Sequence, residues 1–174
     1  MSVRALRRGA IASSRATGPP PIVVGASVNS AGTYDFRIGA PNAAFAFQPA
    51  SNLTVVGVEV FWTSDTPDGT SGTLHIATNA ARTTPISSVP ALNDTAGKAS
   101  TWDRVLFDSG VALSSATVYV IAVATSGTNL AVRGSGASAA TLVNLTSAPH
   151  CAYGTNWATQ LNSYSGCFRL LVNG

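Results

Sequence analysis

From residue 22 onward the chain breaks into short apolar runs, nearly every one stopped by a turn signal, and this spacing leaves little room for helices. The runs span Ile22–Val28, Thr33–Ile38, Ala43–Phe47, Leu53–Trp62, Gly72–Thr78, Thr101–Phe107, Thr117–Thr125, Asn129–Arg133, Thr141–Leu145 and Cys167–Val172. Within them the period is two. Val56, Val58, Val60 and Trp62 share one face of the fourth run. Tyr119, Ile121 and Val123 share one face of the seventh, with Val118, Val120 and Ala122 opposite. Runs apolar on both faces belong at the centre of a sheet that is covered on both sides. Asn29-Ser30-Ala31-Gly32, Pro41-Asn42, Asp65-Thr66-Pro67-Asp68-Gly69, Asp108-Ser109-Gly110 and Ser126-Gly127 read as turns between strands. The expectation is an all-β fold, an antiparallel β-sandwich of jelly-roll-like form.

Charge divides the chain in two. Charged residues make up 10% of it, against about 25% in an ordinary soluble domain. The formal net charge of +3 is local, because Arg4, Arg7, Arg8 and Arg15 precede the first acid, Asp35. From residue 16 onward six basic residues face seven acids, a formal −1. Residues 1–21 therefore read as an extended basic N-terminal arm, closed by Pro19-Pro20-Pro21, and residues 22–174 as the β-sandwich domain. A nucleic-acid-binding face needs Lys and Arg spread over the folded part, and they are not. The apolar stretch Ala10-Ile11-Ala12 is too short for a secretory leader, and no apolar run reaches the about 18 residues that a membrane helix needs.

A catalytic site needs convergent nucleophile, base and orienting groups. His75 lies between Leu74 and Ile76 and projects to the face opposite them, which points to an exposed or interface histidine. His150 and Cys151 are sequence neighbours whose side chains diverge along extended backbone, so they form no dyad. Glu59 is the sole glutamate, without the second carboxyl group that glycoside hydrolysis requires. Asp65 and Asp68 could bind Ca²⁺, though the Pro and Gly between and after them make a plain turn sufficient. Gly134-Ser135-Gly136 lacks the rest of a nucleotide fingerprint and reads as a flexible turn. No cofactor and no enzymatic activity are expected. Tyr153, Trp157 and Tyr164 lie in a Gly/Asn/Ser-rich stretch, where loop packing or an interface explains them more readily than glycan stacking. Cys151 and Cys167 are open to two readings, reduced thiols or a disulfide whose loop of about 17 residues would contribute about 3 kcal/mol.

Residues 45–125 resemble a small bacterial β-sandwich domain appended to surface and glycan-active proteins. The likeness is carried by the strand Leu53–Trp62, the strand Gly72–Thr78, the segment Thr84–Val89, Thr101–Phe107, and Val111–Ser114 running into Thr117–Ile121. It implies a jelly-roll-like module and transfers no active site. The whole chain also resembles structural proteins of tailed phages that infect high-GC bacteria, through its nine Arg to one Lys and its basic arm before a compact β-domain. That resemblance implies a virion structural protein at the particle surface, a minor tail or capsid-decoration component. Such a protein would be a homo-oligomer, with Arg4, Arg7, Arg8 and Arg15 anchored to carboxylates of another virion protein. The alternative is a carbohydrate-binding module for host-surface attachment, using Tyr153, Trp157 and Tyr164.

Overall fold

A computed structural model describes residues 20–30, 34–38, 42–61, 72–90, 102–125, 130–136, 140–146, 151–153, 159–161 and 164–174. The strands in chain order are β1 (Ile22–Ser30), β2 (Tyr34–Ile38), β3 (Asn42–Phe47), β4 (Leu53–Phe61), β5 (Gly72–Thr78), β6 (Ser87–Pro90) and β7 (Trp102–Leu113). They continue with β8 (Tyr119–Thr125), β9 (Leu130–Gly136), β10 (Ala140–Val143), β11 (Cys151–Tyr153), β12 (Thr159–Leu161), β13 (Tyr164–Gly166) and β14 (Phe168–Asn173). The helical content of the described residues is a single 3-10 turn, Asn79–Ala81.

One sheet has the order β10-β1-β14-β4-β7, a second β12-β11-β3-β8-β5-β6, and a small third β13-β9-β2. All pairings between strands are antiparallel. Set aside the third sheet and the short edge strands β10, β11 and β12. The remaining eight strands, renumbered along the chain, run 1-8-3-6 in one layer and 2-7-4-5 in the other. Those are two interlocked Greek keys, the connectivity of a jelly roll. The expected antiparallel sandwich is the fold observed.

The layers meet over a core of Val28, Phe45, Phe47, Val58, Leu74, Ile76, Ile121, Phe168 and Leu170, all free of solvent contact. Phe47 lies 5.4 Å from Phe168 across the layers and 5.9 Å from Tyr119 beside it. Each such ring stabilises the fold by about 1.5–3 kcal/mol through burial. β8, the second sheet's central strand, is apolar on both sides as its sequence predicts. Tyr119 and Ile121 face the core, while Val120 and Ala122 join Ala44, Ala46 and Ala77 in a buried layer on the outer side.

Several expectations need correction. Asp108-Ser109-Gly110 does not end a strand: β7 runs through it, absorbing extra residues as a bulge between the pairs Val55↔Val111 and Gly57↔Leu106. The same irregularity shifts the phase of β4, so the core receives Val55, Val58 and Val60 rather than Val56. Gly134-Ser135-Gly136 is not a turn either, since β9 carries it as strand, paired with β2 through Gly134 and with β13 throughout. Finally, His75 projects away from Leu74 and Ile76 as expected, yet it is buried, at 5% exposure. Its Nε2–H donates to the Arg82 carbonyl at 3.0 Å, because the turn after β5 brings that carbonyl over the outer face.

Two outcomes follow from this packing. A Cβ at Gly57 would stand 2.5 Å from the Val105 carbonyl oxygen and 2.8 Å from Leu106 Cδ2. Gly57→Ala is expected to lower unfolding free energy by about 1–3 kcal/mol, read as a lower urea midpoint at unchanged m-value. Burial holds the His75 pKa below its ordinary 6.5, against an opposing pull from the Arg82 carbonyl. The unfolded chain therefore takes up the proton first, and His75's contribution is full above the unfolded pKa and lost as pH falls through the folded one. Urea midpoints are expected to drop between about pH 7 and pH 5, and His75→Gln to flatten that slope.

Candidate functional site

Strand register lays the outer face of the first sheet out in rows. One row runs Val24–Leu171–Gly57–Leu106, and the next runs Val143–Ser27–Arg169–Glu59–Arg104. Beyond them Phe61 pairs with Trp102. The alternation that sends Val58, Val60, Val105, Phe107, Phe168 and Leu170 into the core sends these residues outward.

Glu59 is the centre of this face. Its carboxylate oxygen Oε1 accepts from Arg104 Nε at 2.8 Å and lies 2.7 Å from Arg104 Nη2, while Oε2 accepts from Arg169 Nη1 at 3.2 Å. The Glu59 side chain is 7% exposed, whereas Arg104 keeps 51% and Arg169 33%. A carboxylate this buried requires its charge and its lone pairs to be met, and two guanidinium groups meet them. The Arg169 guanidinium carbon sits 3.9 Å from the Trp102 ring centroid, and Trp102 meets Phe61 edge-on at 5.3 Å. Arg169 is thus fixed by an ion pair and a cation–π contact together. Formally the cluster carries one surplus positive charge, and the same two rows of the face hold the exposed side chains of Leu106, Val24 and Val143.

Among the described residues, the carboxylate of this face is committed to two permanent cations. Among the described residues no group of three His, Cys, Asp or Glu side chains is placed to hold a metal ion. Within the same residues no helix is long and apolar enough to cross a membrane.

Of the residues marked in the sequence, Arg4, Arg7, Arg8, Arg15, Asp65, Asp68, His150 and Trp157 lie outside the described residues. Tyr153 belongs to β11 at one flank of the second sheet and Tyr164 to β13 of the third, two strands that come into contact. Cys151 opens β11, and Cys167, buried, links β13 to β14. Sequence reasoning missed the Glu59 cluster. A signal was present, because Glu59 lies between Val58 and Val60, Arg169 between Phe168 and Leu170, and Arg104 two residues from both Trp102 and Leu106. What linear spacing lacks is the pairing of β14 with β4 across more than a hundred residues.

No protein-family model matches this chain, and no curated protein matches it.

Glu59→Gln leaves two guanidinium groups around a neutral amide. It is expected to destabilise the fold by about 2–3 kcal/mol, less than a fully buried pair because both arginines retain solvent, as measured by chemical denaturation.

Proposed function

We propose that the protein is a virion structural component, a minor tail or capsid-decoration subunit, that works by contact with sister copies and with a scaffold protein and catalyses no reaction. The observation that carries this reading is the Arg104–Glu59–Arg169–Trp102 cluster, held rigid on an outer face beside exposed Leu106, Val24 and Val143. Arginine and tryptophan are the residues over-represented where protein interfaces concentrate their binding energy. Both arginines are already immobilised by Glu59 and Trp102, so little further ordering is required when a partner arrives. The surplus positive charge favours a partner surface bearing carboxylates, and the arm residues Arg4, Arg7, Arg8 and Arg15 favour the same.

Two further features support the reading. Charged residues are few, which suits surfaces that spend their time against neighbours. The jelly roll is a frame that capsid and lectin domains use, although a frame does not select a function by itself.

The full chain is expected to assemble in solution, with a light-scattering mass several times 17.6 kDa. Leu106→Asp, at a position already 47% exposed, is expected to shift it toward the monomer without unfolding it. Deleting residues 2–18 is expected to leave the sandwich folded while abolishing incorporation into particles. A strict monomer at every concentration, together with normal loading of the truncated chain, would reject the proposal.

A further inference from the structure

Loops at one end of the sandwich are tied into a single rigid unit. Gln48 Nε2 donates to the Ser115 carbonyl at 2.7 Å, and the Ser115 N–H donates to Asn52 Oδ1 at 2.9 Å. The Thr146 N–H reaches the Gln48 carbonyl at 3.0 Å, and the Ala50 N–H reaches the Asn144 carbonyl at 2.8 Å. Asn144 itself takes the left-handed conformation, φ 54°, and its Nδ2 donates to the Gly25 carbonyl at 2.6 Å. Segments 48–52, 114–117 and 144–146 are thereby locked to one another and to β1.

At this end lies a cleft of about 340 Å³, at the small end of the about 300–1,000 Å³ found for ligand sites. Leu53, Leu113 and Ala112 give it an apolar wall, while Asn52, Thr54, Ser114 and Tyr119 supply polar groups. Among the described residues no charged side chain lines it. The polar groups share a bias. Asn52 Oδ1, Ser114 Oγ and the Tyr119 hydroxyl each accept from a backbone N–H, of Ser115, Ala116 and Ser114 respectively. Their acceptor capacity is partly used, while among the described residues nothing accepts from the Asn52 amide, the Ser114 hydroxyl or the Tyr119 hydroxyl. Tyr119 is the telling case. It is 6% exposed, it lines the cleft, and a phenol has one proton to donate. The acceptor for that proton comes from whatever fills the open cleft, water or a ligand oxygen.

We propose that this cleft binds a single sugar unit. A pyranose has the matching chemistry: ring and hydroxyl oxygens to accept from Tyr119, Ser114, Asn52 and Thr54, and C–H groups to rest on the partly buried Leu53. The uncharged lining selects a neutral hexose over a charged ligand, and the small open volume selects one unit, such as a glycan terminus, over a chain. The site is built from residues other than Tyr153, Trp157 and Tyr164 and is independent of the assembly proposal, which a failed sugar titration would leave standing.

The test is a titration of the full-length protein with free glucose, galactose, mannose and N-acetylglucosamine, followed by amide NMR. Controls are glycerol and a blocked neutral tripeptide at equal concentration. The expected result is millimolar binding of at least one hexose, with shifts centred on Asn52, Leu53, Ser114 and Tyr119. Tyr119→Phe keeps the ring and is expected to weaken binding about tenfold. Thr54→Trp fills the cleft from an exposed position, leaves the Tyr119–Ser114 bond in place, and is expected to abolish binding. Trp157→Ala is expected to leave it unchanged. The proposal is overturned if no hexose moves these amides, if glycerol or the tripeptide moves them equally, if the shifts centre on 153–164 instead, or if Thr54→Trp binds normally.

Discussion

Phe47 of the second sheet rests against Phe168 of the first, with Tyr119 stacked beside it, and this three-ring contact joins the two layers. Everything else is placed relative to it. β14, which carries Phe168, lies between β1 and β4, so its inward residues close the core while Arg169 is presented outward to Glu59. β8, which carries Tyr119, lies between β3 and β5, and its first residue reaches the loop end with a hydroxyl. The rings therefore connect the charged outer face to the cleft at the end of the sandwich through one packed interior, in which small displacements are resisted because interiors are close-packed.

Glu59 shows how a sandwich poor in charge handles the charge it has. An isolated carboxylate on that face, shielded to this degree, would be expensive, and Arg104 alone, with both its contacts on Oε1, would leave Oε2 unmet. Two arginines from neighbouring strands on either side meet both oxygens, and each guanidinium still reaches water. The arrangement also explains why an apolar strand tolerates its lone acid: the cross-strand partners are one step away on both sides.

Most of the frame was legible in the sequence because period-two runs report burial directly. The two-sided apolarity of β8 named a central strand, whereas Asn29 and Ser30, with turn chemistry, end β1, and Asn42 opens β3. The failures have particular causes. Asp108-Ser109-Gly110 has turn chemistry, but a bulge has the same needs, and only a partner strand distinguishes them. His75 was expected outside because alternation gives a face and not its cover, here supplied by the Arg82 carbonyl. β6, β11, β12 and β13 are too short or too polar to declare themselves without the neighbours that pair with them. Glu59, Arg104, Arg169 and Trp102 were each visible, and so were Asn52, Ser114 and Tyr119. Their convergence was not, since a Greek key brings together segments from opposite ends of the chain.

The strands beyond the eight-stranded frame have an uneven origin. β9 to β13 all belong to the one excursion between β8 and β14, and β2 belongs to the shorter one between β1 and β3. The longer excursion adds β10 to the flank of the first sheet and β11 and β12 to that of the second, and neither excursion interrupts the frame's hydrogen-bonded ladders. A lineage of such chains could thus rewrite the flanks of both sheets, by lengthening, trimming or exchanging a single passage, while the load of folding stays with residues that never need to change.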